Sequence, residues 1–151
     1  MPQSHSAIFI HATWSTKERY PFLRDAGVRG RMCEYVGGVS GKLGCAPIIV
    51  GGVEDHVHIL ARVARTECVA DWIKEMKRAS SAWVKEADAS VRKFQWQAGY
   101  GAFSVSYSNI GSVERYIANQ DAHHRKQTFQ DEFRRFLRKH GIEWDERYVW
   151  D

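Results

Sequence analysis

Residues 46–63, APIIVGGVEDHVHILARV, constrain the fold more than any other stretch of the chain. Two short β-branched segments, 46–53 and 56–63, flank a tight GGVED connection, a pattern that predicts an antiparallel hairpin. The remaining elements fall on either side of it. Residues 6–14 (SAIFIHATW) read as a first strand, followed by the polar STKERYP turn. From Asp25 to Leu43 the residues Val28, Met32, Tyr35, Val36, Val39 and Leu43 recur at helical spacing. Glycines 37, 38 and 41 weaken that helix, and Gly44 suits its stop.

After the hairpin, Val69, Ile73, Met76, Ser80 and Trp83 define an amphipathic helix over roughly 67–87, with Lys74, Lys77, Arg78 and Lys85 on its opposite face. Segment 100–107 alternates Phe103, Val105 and Tyr107 against Ser104 and Ser106, which predicts a fourth strand. A helix over about 111–126 follows, capped by Asn109 or Ser112. A last amphipathic helix over 128–139 uses Phe129, Phe133, Phe136 and Leu137 and ends at Gly141, before the aromatic tail WDERYVWD. The order predicts an α+β, ferredoxin-like βαββαβ fold with extra C-terminal helices. Four strands form one antiparallel sheet with two helices on one face. The other face is expected to remain available for nucleic acid or a second subunit. Such a fold does not by itself fix an activity.

Composition narrows the classes further. The 151 residues suit a single domain, and 44% hydrophobic with 26% charged residues is the balance of an ordinary soluble protein. A formal net charge of +4 leans weakly toward a polyanionic partner. Cys33, Cys45 and Cys68 are odd in number and form no CxxC pair; with no secretory signal, they predict a reduced, cytoplasmic protein. No apolar run is long enough to span a membrane.

Chemistry enters through Asp55-His56-Val57-His58. Side chains alternate along a strand, so His56 and His58 share one face and can bite one divalent metal ion. Two ligands do not make a site, and a bare HxH pair reads first as two ordinary, partly exposed strand histidines. On the 111–126 helix, Tyr116 and Gln120 stand four residues apart and share a face. Gln120 offers a carbonyl oxygen to a metal, and Tyr116 a hydroxyl to phosphorus. Taken alone, Tyr116 reads as a core aromatic beside Val113 and Ile117.

With both elements present, the chain resembles the single-tyrosine HUH transposases of the smallest bacterial insertion sequences, the insertion-sequence 200/605 type. The resemblance covers nearly the whole chain. It runs through HATWSTKERYPFL, VEDHVHIL, IKEMKRASSAW, WQAGYGAFSVS, VERYIANQDAHH and FQDEFRRFL, with DHVHIL and YIANQ the specific parts. It implies one HUH transposase domain over residues 1–151. His56, His58 and Gln120 would ligate Mg²⁺ or Mn²⁺, and Tyr116 would be the nucleophile. It further implies a homodimer whose tyrosine helix can complete the partner's site, and a substrate of single-stranded DNA with hairpin ends.

The implied reaction is metal-assisted transesterification through a 5′-phosphotyrosine, without ATP; the chain has no GxxxxGK[ST] loop. A tyrosine hydroxyl titrates near ~10 and needs help losing its proton, yet the sequence shows no dedicated base. His123 and His124 read as surface or DNA-contacting residues. Lys74, Lys77, Arg78 and Arg115 are candidates for phosphate neutralisation, and Trp14, Trp96 and Tyr100 for base stacking. Lysines on a helix are usually a solvated face, and the aromatics also read as core. Three alternatives stay open. One is a domesticated REP-associated tyrosine transposase acting on chromosomal repeat hairpins, another a non-catalytic ferredoxin-like nucleic-acid-binding module, and the third a phosphodiesterase using activated water.

Overall fold

A computed structural model of the chain describes residues 2–151. Its elements in order are β1 (Phe9–Ser15), α1 (Ala26–Lys42), β2 (Ala46–Gly52), β3 (His56–Arg62), α2 (Val69–Ala87), β4 (Gly101–Val105), α3 (Ile110–Ala118), α4 (Gln120–His124) and α5 (Phe129–Lys139). The strands form one sheet in the order β2-β3-β1-β4, every neighbouring pair antiparallel. This is the expected ferredoxin-like arrangement with helices added at the C-terminus.

The first face of the sheet carries the larger core. Ala12 and Trp14 from β1 and Val57, Ile59 and Ala61 from β3 pack against Val28, Met32 and Val36 of α1 and Trp72, Ile73, Met76 and Val84 of α2. Asp25 caps α1 by accepting from the Val28 amide at 2.9 Å. Two serines on these apolar helix faces are satisfied by indoles: Trp72 Nε1 donates to Ser40 Oγ and Trp96 Nε1 to Ser80 Oγ, each at 2.9 Å. Among the described residues no helix is long and apolar enough to cross a membrane.

The second face differs from expectation, because it is covered. The apolar stripe of α5 (Phe129, Phe133, Phe136, Leu137) packs there with Phe103, and Tyr116, Trp144, Val149 and Trp150 join it. An amphipathic helix with four large apolar residues needs a surface, and the free side of the sheet is the one within reach.

Two glycines on the edge strands let these helices sit close. A Cβ on Gly51 would meet Ile117 Cγ2 and the Ile117 carbonyl oxygen at 2.9 Å each, and one on Gly101 would stand 2.6 Å from Phe133. Gly51 pairs with His58 across the sheet, so the contact that seats α3 lies beside the histidine strand.

The expected single helix over 111–126 is two. Asn119 leaves helical geometry (φ −102°, ψ 26°), and its N–H donates to the carbonyls of Arg115 and Tyr116. Tyr116 therefore ends one helix and Gln120 begins the next.

Gly51→Ala is expected to cost about 1–3 kcal/mol, since the clash is with backbone. Gly38→Ala, at an exposed position of α1 with open space at its Cβ, is expected to gain up to about 1 kcal/mol. Urea denaturation of both variants checks the pair; equal effects would contradict the close approach of α3.

Candidate active site

Strand alternation points Val57 into the core and puts both His56 and His58 on the second face, fully buried. Each imidazole is held from its Nδ1 side. His56 Nδ1–H donates to Asp55 Oδ1 at 2.6 Å, and His58 Nδ1 shares a hydrogen bond with His11 Nε2 at 2.7 Å, whose direction is set by the tautomer. The Nε2 atoms are thereby aimed into one space, as the outer-shell partners of metal-binding histidines aim them. His56 Nε2 lies 3.2 Å from Gln120 Oε1 and 3.5 Å from Glu132 Oε1; His58 Nε2 lies 2.9 Å from the same Glu132 oxygen.

Glu132, on α5, is the hub. Its side chain is fully buried. Its second oxygen, Oε2, accepts from the Tyr116 hydroxyl and from His124 Nε2, the latter at 3.1 Å. Arg135, one turn further along α5, donates to the Tyr116 oxygen at 2.8 Å, and His123 stacks on the tyrosine ring with centroids 4.5 Å apart. The structure thus brings His56, His58, Tyr116 and Gln120 together around a carboxylate.

The ionisation states follow from this packing. Burial would depress His56, but the Asp55 and Glu132 carboxylates outweigh it and raise it to about 9. Burial keeps His58 and His11 below the ordinary histidine value. Burial alone would raise Glu132, yet the imidazoles of His58, His124 and His56 hold it far below the usual carboxylate range. Tyr116 is raised above its ordinary value, first by burial and then by the charge of Glu132, against the pull of Arg135.

These residues fit a divalent ion. One ligand atom from each of His56, His58, His124 and Glu132 lies within 4.8 Å of all the others, and imidazole nitrogens with a carboxylate oxygen are a first-row transition-metal donor set. Gln120 Oε1 borders the same space.

The DNA candidates divide. Trp14 is fully buried, which leaves its ring no free face for a base, and Trp96 is nearly so. Lys77 donates to the carbonyls of Gln97, Ala98 and Gly99 at 2.9, 3.2 and 2.7 Å, so all three of its N–H bonds are taken by backbone; burial lowers it to about 8. It is an anchor for the loop before β4. Lys74, Arg78 and Arg115 are exposed, Arg78 paired with Glu75 at 2.5 Å, and Tyr100 is 40% exposed. Lys74, Lys77, Arg78, Trp96 and Tyr100 line one cavity of about 660 Å³, joined there by Trp150.

Sequence reasoning missed Glu132, Arg135, His11 and the part played by His124. The broken helix turns His124 inward, its ring 4.3 Å from that of His56, where a continuous helix would carry it away from Tyr116. Glu132 did leave a signal: it is a lone carboxylate three residues after Phe129, on the apolar stripe of α5.

The family model for IS200-like transposases matches residues 4–120. A protein from Deinococcus radiodurans R1 described as a transposase has a similar structure, with 22% identity and a TM-score of 0.63 over 80% of this chain and 98% of its own. So does a REP-associated tyrosine transposase bound to a REP hairpin, with 12% identity and a TM-score of 0.60 over 82% of this chain and 74% of its own. No curated protein matches the chain.

In the metal-free protein, protonated His56 stabilises the fold fully below its ordinary value of 6.5, and that contribution is lost as pH rises through about 9. His11 and His58, held neutral, add no slope in this window. Between pH 6.5 and about 8, where Lys77 begins to lose its proton and adds an opposite slope, unfolding free energy after chelation is therefore expected to fall by on the order of 2 kcal/mol, and His56→Gln to flatten the fall. A flat wild-type profile in urea denaturation would contradict the His56–Glu132 charge pair.

Proposed function

The chain belongs to the IS200-like transposase family, and on that premise we propose that it cleaves and rejoins single-stranded DNA, with Tyr116 as nucleophile and His56, His58 and Gln120 as metal ligands. The observation that carries this reading is the convergence of the Tyr116 hydroxyl and both histidine Nε2 atoms on the two oxygens of one buried carboxylate. The nucleophile and the ligands are thereby held next to each other before any substrate arrives.

In the proposed step, the Tyr116 oxygen gives up its proton and attacks the phosphorus of the scissile link. The bond from phosphorus to the 3′ oxygen breaks and that oxygen takes up, by way of solvent, the proton the tyrosine has lost, leaving a free 3′-OH and a 5′-phosphotyrosine. A second 3′-OH reverses the exchange and joins strands, so no external energy source is needed. Arg135, 2.8 Å from the tyrosine oxygen, is placed to offset the phenolate charge and then that of the phosphate. A bound Mg²⁺ or Mn²⁺ would supply Lewis-acid polarisation of the scissile phosphate.

The substrate reading is DNA with hairpin ends. The REP-associated relative bound to a REP hairpin supports it, and equally supports a second reading in which the hairpins are chromosomal repeats. Exposed Lys74, Arg78 and Arg115 suit phosphate neutralisation, and Tyr100 suits stacking on an unpaired base. Residues 1–151 are read as one HUH unit that works as a homodimer.

Incubation with labelled hairpin oligonucleotides and Mn²⁺ is expected to give a covalent protein–DNA adduct. Tyr116→Phe is expected to reduce it by at least about 10⁴-fold while hairpin binding persists in gel shifts. An undiminished adduct in this variant would place the nucleophile elsewhere; hydrolysed DNA with no adduct would favour a water-using phosphodiesterase, and binding without cleavage a recognition module.

A further inference from the structure

We propose that Glu132, supplied by the C-terminal helix, is the anionic ligand of the metal held by His56 and His58, so that α5 is part of the metal site. The inference rests on reading the two histidines as a metal pair. The family match spans residues 4–120 and so includes His56, His58, Tyr116 and Gln120; Glu132 and His124 lie beyond it. Their place in the site comes from the geometry of this chain alone.

The first argument is distance. Two ligands each about 2.0–2.2 Å from a first-row ion stand roughly 3–3.5 Å apart. Glu132 Oε1 is 2.9 Å from His58 Nε2 and 3.5 Å from His56 Nε2, which is ligand-to-ligand spacing without rearrangement of the backbone. The second argument is charge. Two imidazoles and a carboxamide leave a dication uncompensated in a dry site, and that is costly. Two carboxylates are near. Asp55 is engaged on the far side of the His56 ring, at Nδ1, as an orienting partner. Glu132 is the carboxylate that faces Nε2.

Two consequences follow. A site of imidazoles plus a carboxylate prefers Mn²⁺ and its heavier neighbours to Mg²⁺, which favours oxygen ligands and keeps its water. The same side chain also holds the nucleophile, since Oε2 accepts from Tyr116. Metal loading and tyrosine placement are therefore linked through one carboxylate, which makes Glu132 a ligand and a positioning residue together.

The test is calorimetric titration of Mn²⁺ into the metal-stripped 151-residue chain, with folding checked by circular dichroism. Loss of a partner outside the first coordination sphere typically costs 10–100-fold in metal affinity, so Glu132→Gln is expected to weaken binding by at least about that factor, and Gln120→Ala by less. Wild-type affinity in the Glu132→Gln variant would overturn the proposal. Wild-type affinity in His58→Ala would instead remove the metal from this site altogether, which overturns the reading beneath it as well. Hydrogen exchange on the wild-type protein gives a readout that needs no variant: added Mn²⁺ is expected to slow amide exchange across residues 129–139. Unchanged or faster exchange there would mean that Glu132 leaves when metal arrives, and would overturn the proposal.

Discussion

A carboxylate with no exposed side-chain surface has to be compensated where it stands, because desolvating an isolated charge costs more than most tertiary contacts return. Glu132 is compensated by His56 and His58 from β3, His124 from α4 and Tyr116 from α3. Three elements are thus tied to α5 through one side chain. The aromatic packing of Phe129, Phe133 and Phe136 brings the helix to the sheet, and the polar contacts then fix which turn of it faces the histidines. The apolar contacts supply attraction without direction; the carboxylate supplies register.

The same constraint explains the two backbone irregularities nearest the site. The break at Asn119 redirects the chain after Tyr116, so that Gln120 and His124 turn toward His56. On the sheet, the missing side chain at Gly51 admits Ile117 against β2 and brings the tyrosine helix down to the level of His58. Neither feature adds an interaction of its own. Both allow a short helix pair to approach closely enough for 3 Å contacts.

Much of this was legible in the sequence, for physical reasons. Period-2 and period-3.6 patterns survive wherever one face of an element is buried, so the four strands and the helices α1, α2 and α5 fall within one to three residues of expectation. The histidine pair was legible because strand alternation is rigid, and Tyr116 and Gln120 because YIANQ resembles a known motif. What failed depends on tertiary packing. An Asn inside a helical pattern carries no Pro or Gly mark, so the break at 119 was invisible. Lys77 belongs to a charged helix face by periodicity, and only the fold reveals three carbonyls around its ammonium. Trp14 is an aromatic residue in a strand, and nothing local says whether it meets a base or the core. Glu132 lies 74 positions after His58, and its odd place on an apolar stripe gains meaning only once that stripe meets the histidines. The second sheet face, expected to be open, is covered for the same reason.

The central claim is that the buried cluster exists to place the Tyr116 oxygen for attack on phosphorus. Mass spectrometry of the protease-digested protein–DNA adduct tests it most directly, since it identifies the modified side chain as well as the chemistry. The account predicts an oligonucleotide joined through its 5′ phosphate to the peptide that contains Tyr116. A phosphate carried on any other residue, or DNA products with free 5′ phosphates and an unmodified peptide, would contradict it.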